Sequence, residues 1–150
     1  MIDSGLKGKL LEACRTKLMA SIQNLEAAMN DAQQQANEYG PPRDRYDAFR
    51  TQLMRKRDMM AQQLDNELNE LKILERIDPK KTLEEIAFGA VILSKGQDYF
   101  IAVSQGKIEV EGRQFFTISV KVPVFQALQG KRKGDIIDFR GNKIEILDVF

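Results

Sequence analysis

Leu11, Cys14, Leu18, Ile22, Leu25, Met29, Ala32 and Ala36 follow one another at steps of three and four residues. That spacing lays a narrow apolar stripe along one face of a helix, as a coiled-coil seam requires. Asn37-Glu38-Tyr39-Gly40-Pro41-Pro42 then interrupts the run. Glycine suits the left-handed position after a helix end, and proline suits the first turn of the next helix. A second stripe follows at Tyr46, Phe49, Leu53, Met60, Leu64, Leu68, Leu71 and Leu74, with Lys56-Arg57 between its halves. Two helices of about 30 residues, each on the order of 45 Å long, are expected to pair as an antiparallel hairpin. One seam leaves the remaining faces in water, which accounts for the many Gln, Asn and charged residues.

The character of the chain changes at Ile77-Asp78-Pro79-Lys80-Lys81. Before it stand good helix formers, and after it stand short β-branched runs separated by glycines. We place the hairpin at 1–78 and a second domain at 79–150. In the second domain Gly89 to Leu93 and Asp98 to Val103 flank the hairpin signal Ser94-Lys95-Gly96-Gln97. Phe115 to Val120 alternates, Pro123 opens a short helix over Val124 to Leu128, and Gln129-Gly130 closes it. Gly134-Asp135 turns into Ile136 to Phe139, and Arg140-Gly141-Asn142-Lys143 turns into a last strand, Ile144 to Phe150. The expected class is α+β: a helical hairpin, then an antiparallel sheet with one short helix.

Composition removes several chemistries. The chain has no histidine and one cysteine, which excludes Ser-His-Asp and Cys-His catalysis, histidine-ligated zinc, an internal disulfide and a thiolate cage. Its 23 basic and 22 acidic residues nearly cancel, against a protein that grips nucleic acid by bulk charge. No apolar run reaches the ~20 residues of a membrane span, and residues 1–25 lack a signal peptide's apolar block. A cytoplasmic protein is expected.

The segment Ile118-Ser119-Val120-Lys121-Val122-Pro123-Val124-Phe125-Gln126-Ala127-Leu128-Gln129-Gly130-Lys131-Arg132-Lys133-Gly134-Asp135 resembles the bacterial transcript cleavage factors GreA and GreB. Their pattern has a strand, a Ser-Pro step, an Ala-Leu-Leu-Gly-Lys helix end and a Gly-Asp turn. Gly141 to Ile146 is similar to that family's last hairpin, and Tyr46-x-Ala48 sits where its second helix begins. Val122 replaces the serine that usually precedes the proline.

The resemblance implies an N-terminal antiparallel coiled coil and a C-terminal FKBP-like domain. It implies a partner as well, the large subunit of RNA polymerase, with nascent RNA met only indirectly. By this likeness Pro123, Val124, Gln126, Ala127, Gly130 and Lys131 carry the docking, while the hairpin enters the secondary channel. In the family two tip acids help hold a catalytic Mg²⁺, an ion that belongs to the polymerase. The tip here is Tyr39, Gly40, Pro41, Pro42, Arg43 and Asp44. Aligned on Tyr46, the family's aspartate falls on Tyr39 and its first glutamate on Pro42.

Glu38, Asp44 and Asp47 are the remaining acidic candidates, with Arg43 and Arg45 interleaved against cation binding. Acids in a first helical turn also simply complement the helix dipole. We therefore expect a monomeric factor with no cofactor of its own and no enzymatic activity, modulating elongation without a full metal-binding tip. An active cleavage factor and an unrelated coiled-coil dimerisation protein are the alternatives. Arg50, Arg55, Lys56 and Arg57 are candidates to face RNA phosphates, or form a solvated helix face.

Overall fold

The computed structural model describes residues 5–38 and 47–150. The expected α+β class is what it shows. Two long helices, α1 (Leu6–Glu38) and α2 (Asp47–Glu75), precede six strands and one short helix. The strands are β1 (Val91–Ser94), β2 (Asp98–Ile101), β3 (Gly106–Val110), β4 (Arg113–Ile118), β5 (Ile136–Phe139) and β6 (Asn142–Val149), with α3 (Pro123–Leu128) between β4 and β5. The tip residues Tyr39, Gly40, Pro41, Pro42, Arg43 and Asp44 lie outside the described residues. No described helix is long and apolar enough to cross a membrane.

The chain divides into two compact units. One comprises Met1–Lys17 and Lys72–Phe150; the other is Leu18–Leu71.

In the first unit the strands form one sheet in the order β3-β4-β2-β1-β6-β5. Every neighbouring pair is antiparallel except β2 and β4, which run parallel from Asp98↔Phe115 to Ile101↔Ile118. The parallel pair follows from β3, a strand that the sequence reading left unassigned. After β2 the chain passes through Gly106–Val110 at the sheet edge and returns as β4 against β2. The β3–β4 turn places Glu111 at φ 53° and Gly112 at φ 77°. The β5–β6 turn does the same with Arg140 at 52° and Gly141 at 81°. Two successive positive φ values match the right-handed twist of a two-residue hairpin. They require glycine, or a residue held in the left-handed region, at each place.

Ile86, Ile92, Ile101, Ile118, Phe125, Leu128, Ile137, Ile144 and Ile146 form one cluster beneath α3. Successive strand residues point to opposite faces, so Val91, Leu93 and Phe100 belong to the other face. All four residues of β1 are nevertheless buried. The start of α1 and the end of α2 belong to this same unit, and there Leu6, Leu10, Leu11, Cys14, Leu74 and Ile77 are buried too. Lys9 pairs with Glu111 in the β3–β4 turn, and the Lys17 ammonium donates to the Gln105 carbonyl at 2.6 Å. Gly8 lies close enough to Pro79 that an added Cβ would meet its ring at 3.7 Å. The helix ends are thus part of the sheet unit's core.

The second unit is an antiparallel helix pair. Ser21 donates to Glu67 at 2.7 Å, and Arg57 donates to Gln33 at 2.7 Å. A later residue of α1 therefore meets an earlier residue of α2. Leu18, Ile22, Ala32 and Ala36 of the α1 stripe are buried, and Leu25 and Met29 are half-buried.

The α2 stripe is displaced from the expected one. Phe49 is 42% exposed and Leu68 is 38% exposed. Half-buried Met54, Ala61 and Glu70 lie beside a line of half-buried Arg50, Leu53, Arg57, Met60, Leu64, Glu67 and Leu71, completed by buried Leu74. The residues of that line repeat at alternating steps of three and four, so the seam is a regular heptad with three long polar residues in it. Their aliphatic stems cover apolar surface while their heads seek water or a partner, which reading by hydrophobicity overlooks.

Candidate functional site

The segment from Ile118 to Asp135 is built on backbone chemistry. The Lys121 amide donates to the Ser119 hydroxyl at 3.2 Å, and the Ser119 amide donates to the Ser104 hydroxyl at 3.2 Å. Pro123 then opens α3, where its missing N–H costs nothing because the first turn has no internal acceptor to offer. Val122 occupies the N-cap with extended backbone, and no side chain caps the helix. Serine at this position would offer a hydroxyl to the first-turn amides; valine cannot. The departure from the family pattern therefore falls on a capping position, and α3 is held by Phe125 and Leu128, which are buried in the cluster beneath it.

At its other end the Gln129 amide donates to the Phe125 carbonyl at 2.8 Å. Gly130 takes φ 78° and its amide donates to the Ile86 carbonyl, while the Ile86 amide donates to the Lys131 carbonyl, each at 2.8 Å. Arg132 pairs with Glu85 alongside, which holds its guanidinium above the usual range. The Arg132 amide donates to the Asp135 carboxylate at 2.8 Å, closing the turn that contains Gly134.

This architecture sorts the six docking candidates. Pro123, Gln126, Gly130 and Lys131 are exposed, and Val124 and Ala127 are half-buried against the core cluster. Four of the six thus present surface around one short helix, with Gln126 reaching back to the Val120 carbonyl at 3.4 Å. The sequence reading did not single out Glu85 or Ile86, which hold the Gly130–Arg132 stretch in place. Their signal is a backbone pairing across some 45 residues, which no local pattern carries.

In the helix pair, the four basic candidates divide two and two. Arg55 and Lys56 are exposed, whereas Arg50 and Arg57 are half-buried in the seam. Besides Gln33, Arg57 bonds to Asp58 at 2.9 Å. The Nε atoms of Arg50 and Arg57 and Oε2 of Glu67 are buried and unpartnered among the described residues. A single continuous phosphate-facing patch of all four is not what the helix presents.

Of the acidic candidates, Glu38 is exposed and ends α1, Asp47 begins α2, and Asp44 lies outside the described residues. Among the described residues no group of three or more acidic or cysteine side chains could hold a metal ion. Cys14 is fully buried, and burial pushes its thiol up to about 12, which suppresses the reactive thiolate.

No protein-family model matches the chain, and no curated protein matches it. Among solved structures, the transcription factor Gfh1 is similar at 18% identity, over 91% of this chain and 93% of that one, with a TM-score of 0.35. A structure of GreA factor homolog 1 (Gfh1) of Thermus thermophilus is similar at 14% identity, over 93% and 94% of the two chains, with a TM-score of 0.33.

Proposed function

We propose that this chain is a GreA/GreB-like ligand of bacterial RNA polymerase. In this reading it docks through the α3 segment and places its helix pair in the secondary channel to modulate elongation. One observation carries the docking half: the residues that bear the family likeness fold as one surface element. Pro123 starts α3, Gly130 ends it in the left-handed region, and Gln126, Gly130 and Lys131 are exposed around it. Packing explains Phe125 and Leu128, but not the exposed Pro123, Gly130 and Lys131 that match the GreA/GreB pattern.

The hairpin half is supported by the antiparallel pairing of α1 and α2. The part of α1 that belongs to the helix pair, residues 18–38, is about 30 Å long at 1.5 Å per residue, a length suited to entering a channel. The tip departs from the family's acidic pair at Tyr39 and Pro42. The chain then acts by occupancy and supplies no metal ligand, and Mg²⁺ chemistry stays with the polymerase.

Capture of the full chain on immobilised core polymerase tests this. Gln126→Arg with Lys131→Glu alters only exposed side chains and should lower the affinity about tenfold, or 1.4 kcal/mol, with an unchanged melting temperature. Undiminished capture would overturn the docking assignment. On a backtracked elongation complex the chain should release no short 3′ fragments beyond the polymerase's own rate. Rapid release that Asp44→Ala abolishes would make it an active cleavage factor.

A further inference from the structure

A cleft of about 290 Å³ lies within the sheet unit, lined by Lys7, Arg76, Ile77, Asp78, Lys81, Leu83, Phe88 and Gly89. Lys7 and Ile77 are only 3% and 7% exposed. Leu83 and Phe88 are half-buried, and Arg76, Asp78 and Lys81 are exposed.

Lys7 is the unusual member. An ammonium carries three donors, and among the described residues this one has a single acceptor, the Lys81 carbonyl at 2.7 Å. No carboxylate pairs with Lys7, Arg76 or Lys81 among the described residues. Asp78, the one acid among the described residues of the cleft, accepts the Lys80 amide at 2.9 Å. Buried charge is tolerated when paired and costly when not. Desolvation accordingly draws the Lys7 ammonium below the usual lysine range, with Asp78 opposing and Lys81 adding to the effect.

Among the described residues, three cations against one acid leave the cleft short of negative charge. Ile77, Leu83 and Phe88 give it an apolar side, and its volume equals roughly ten waters, near the lower end for small-molecule sites. We propose that this cleft binds a small carboxylate with a short hydrocarbon body. The carboxylate would sit between the buried Lys7 ammonium and the Arg76 fork, and the hydrocarbon against Ile77, Leu83 and Phe88. Guanidinium and carboxylate match as planar bidentate partners, and the apolar side favours such a molecule over inorganic phosphate.

The test is titration of the full-length ¹⁵N-labelled chain with sodium butyrate, followed by amide shifts at constant ionic strength. Sodium chloride and sodium phosphate serve as parallel arms. Butyrate should give saturable shifts at residues 76–89 with half-saturation of about 1 mM, a value that a six-atom ligand can reach. Arg76→Gln changes only an exposed side chain and should weaken binding about threefold; Lys7→Met should weaken it about tenfold. Shifts that chloride reproduces, or that persist in both variants, would overturn the site. Saturation by phosphate but not butyrate would overturn the ligand class. Polymerase is absent from this experiment, so neither result bears on the docking assignment.

Discussion

The two ends of α1 share one apolar repeat and meet different neighbours. In the sheet unit Leu10 and Cys14 are fully buried, and so is Leu74 at the end of α2. In the Leu18–Leu71 unit, no described α2 residue is fully buried. There the seam of α2 runs through Arg50, Arg57 and Glu67, and one polar atom of each is buried without a partner among the described residues. Burial of apolar area is the dominant favourable contribution, so the sheet unit is the thermodynamic anchor and the helix pair the weaker part. The same heptad spacing thus marks a core in one region and a thin, partly polar seam in the other.

Leu10→Ala and Leu64→Ala test this contrast most strongly. The first empties a fully enclosed site and should cost about 3–5 kcal/mol in denaturant unfolding. The second trims a half-buried seam residue and should cost about 1–2 kcal/mol. Equal costs would break the comparison.

Alkaline titration sharpens it from the anchor side. The Cys14 thiol is raised from 9.0 to about 12 in the folded chain, so the folded state holds its proton where the unfolded state has lost it. Its contribution is complete below pH 9 and falls by about 1.4 kcal/mol per pH unit between 9 and about 12. Lys7, drawn below 10.5, has the opposite sign: the unfolded state binds the extra proton, so its penalty is relieved as pH rises toward 10.5. Denaturant melts from pH 8 to 11 should show the Cys14 slope in the natural chain. The Cys14→Ala variant should lose that part of the slope and retain the opposing Lys7 contribution, together with that of Tyr99, whose phenol burial also raises.

The seam gives the smallest effect. Glu67→Leu with Ser21→Ala removes the buried Oε2, unpartnered among the described residues, together with the Ser21 hydrogen bond to Oε1, and should stabilise the helix pair by about 1 kcal/mol. Hydrogen exchange of amides in Leu18–Leu71 would register this as slower exchange. Faster exchange would show that the polar seam is the better packed one.

Much of this architecture is legible in the chain because local chemistry carries it. The α1 stripe, the Pro123 start, the Gly130 end and the Arg140-Gly141 turn each rest on the geometry of a few neighbouring residues. The α2 seam is less legible: Arg57 and Glu67 occupy apolar positions through their stems, while Phe49 and Leu68 carry the hydrophobicity but face outward. In β3 only Ile108 and Val110 are buried, too short an alternation to announce a strand. Its edge position makes β2 and β4 parallel, a consequence of long-range order. The Lys7 cleft joins α1 to residues some 70 positions away, so only the folded chain assembles it.

The proposed docking is tested most directly by the position of the α1 end on the polymerase. Glu38→Cys in a Cys14→Ala background puts a single thiol on the last residue of α1 for a photo-crosslinker. On core polymerase the crosslinks should fall on large-subunit segments beside the active centre, and Gln126→Arg with Lys131→Glu should weaken them in step with the about tenfold loss of affinity. Crosslinks confined to the polymerase exterior, or unchanged by those substitutions, would contradict the account.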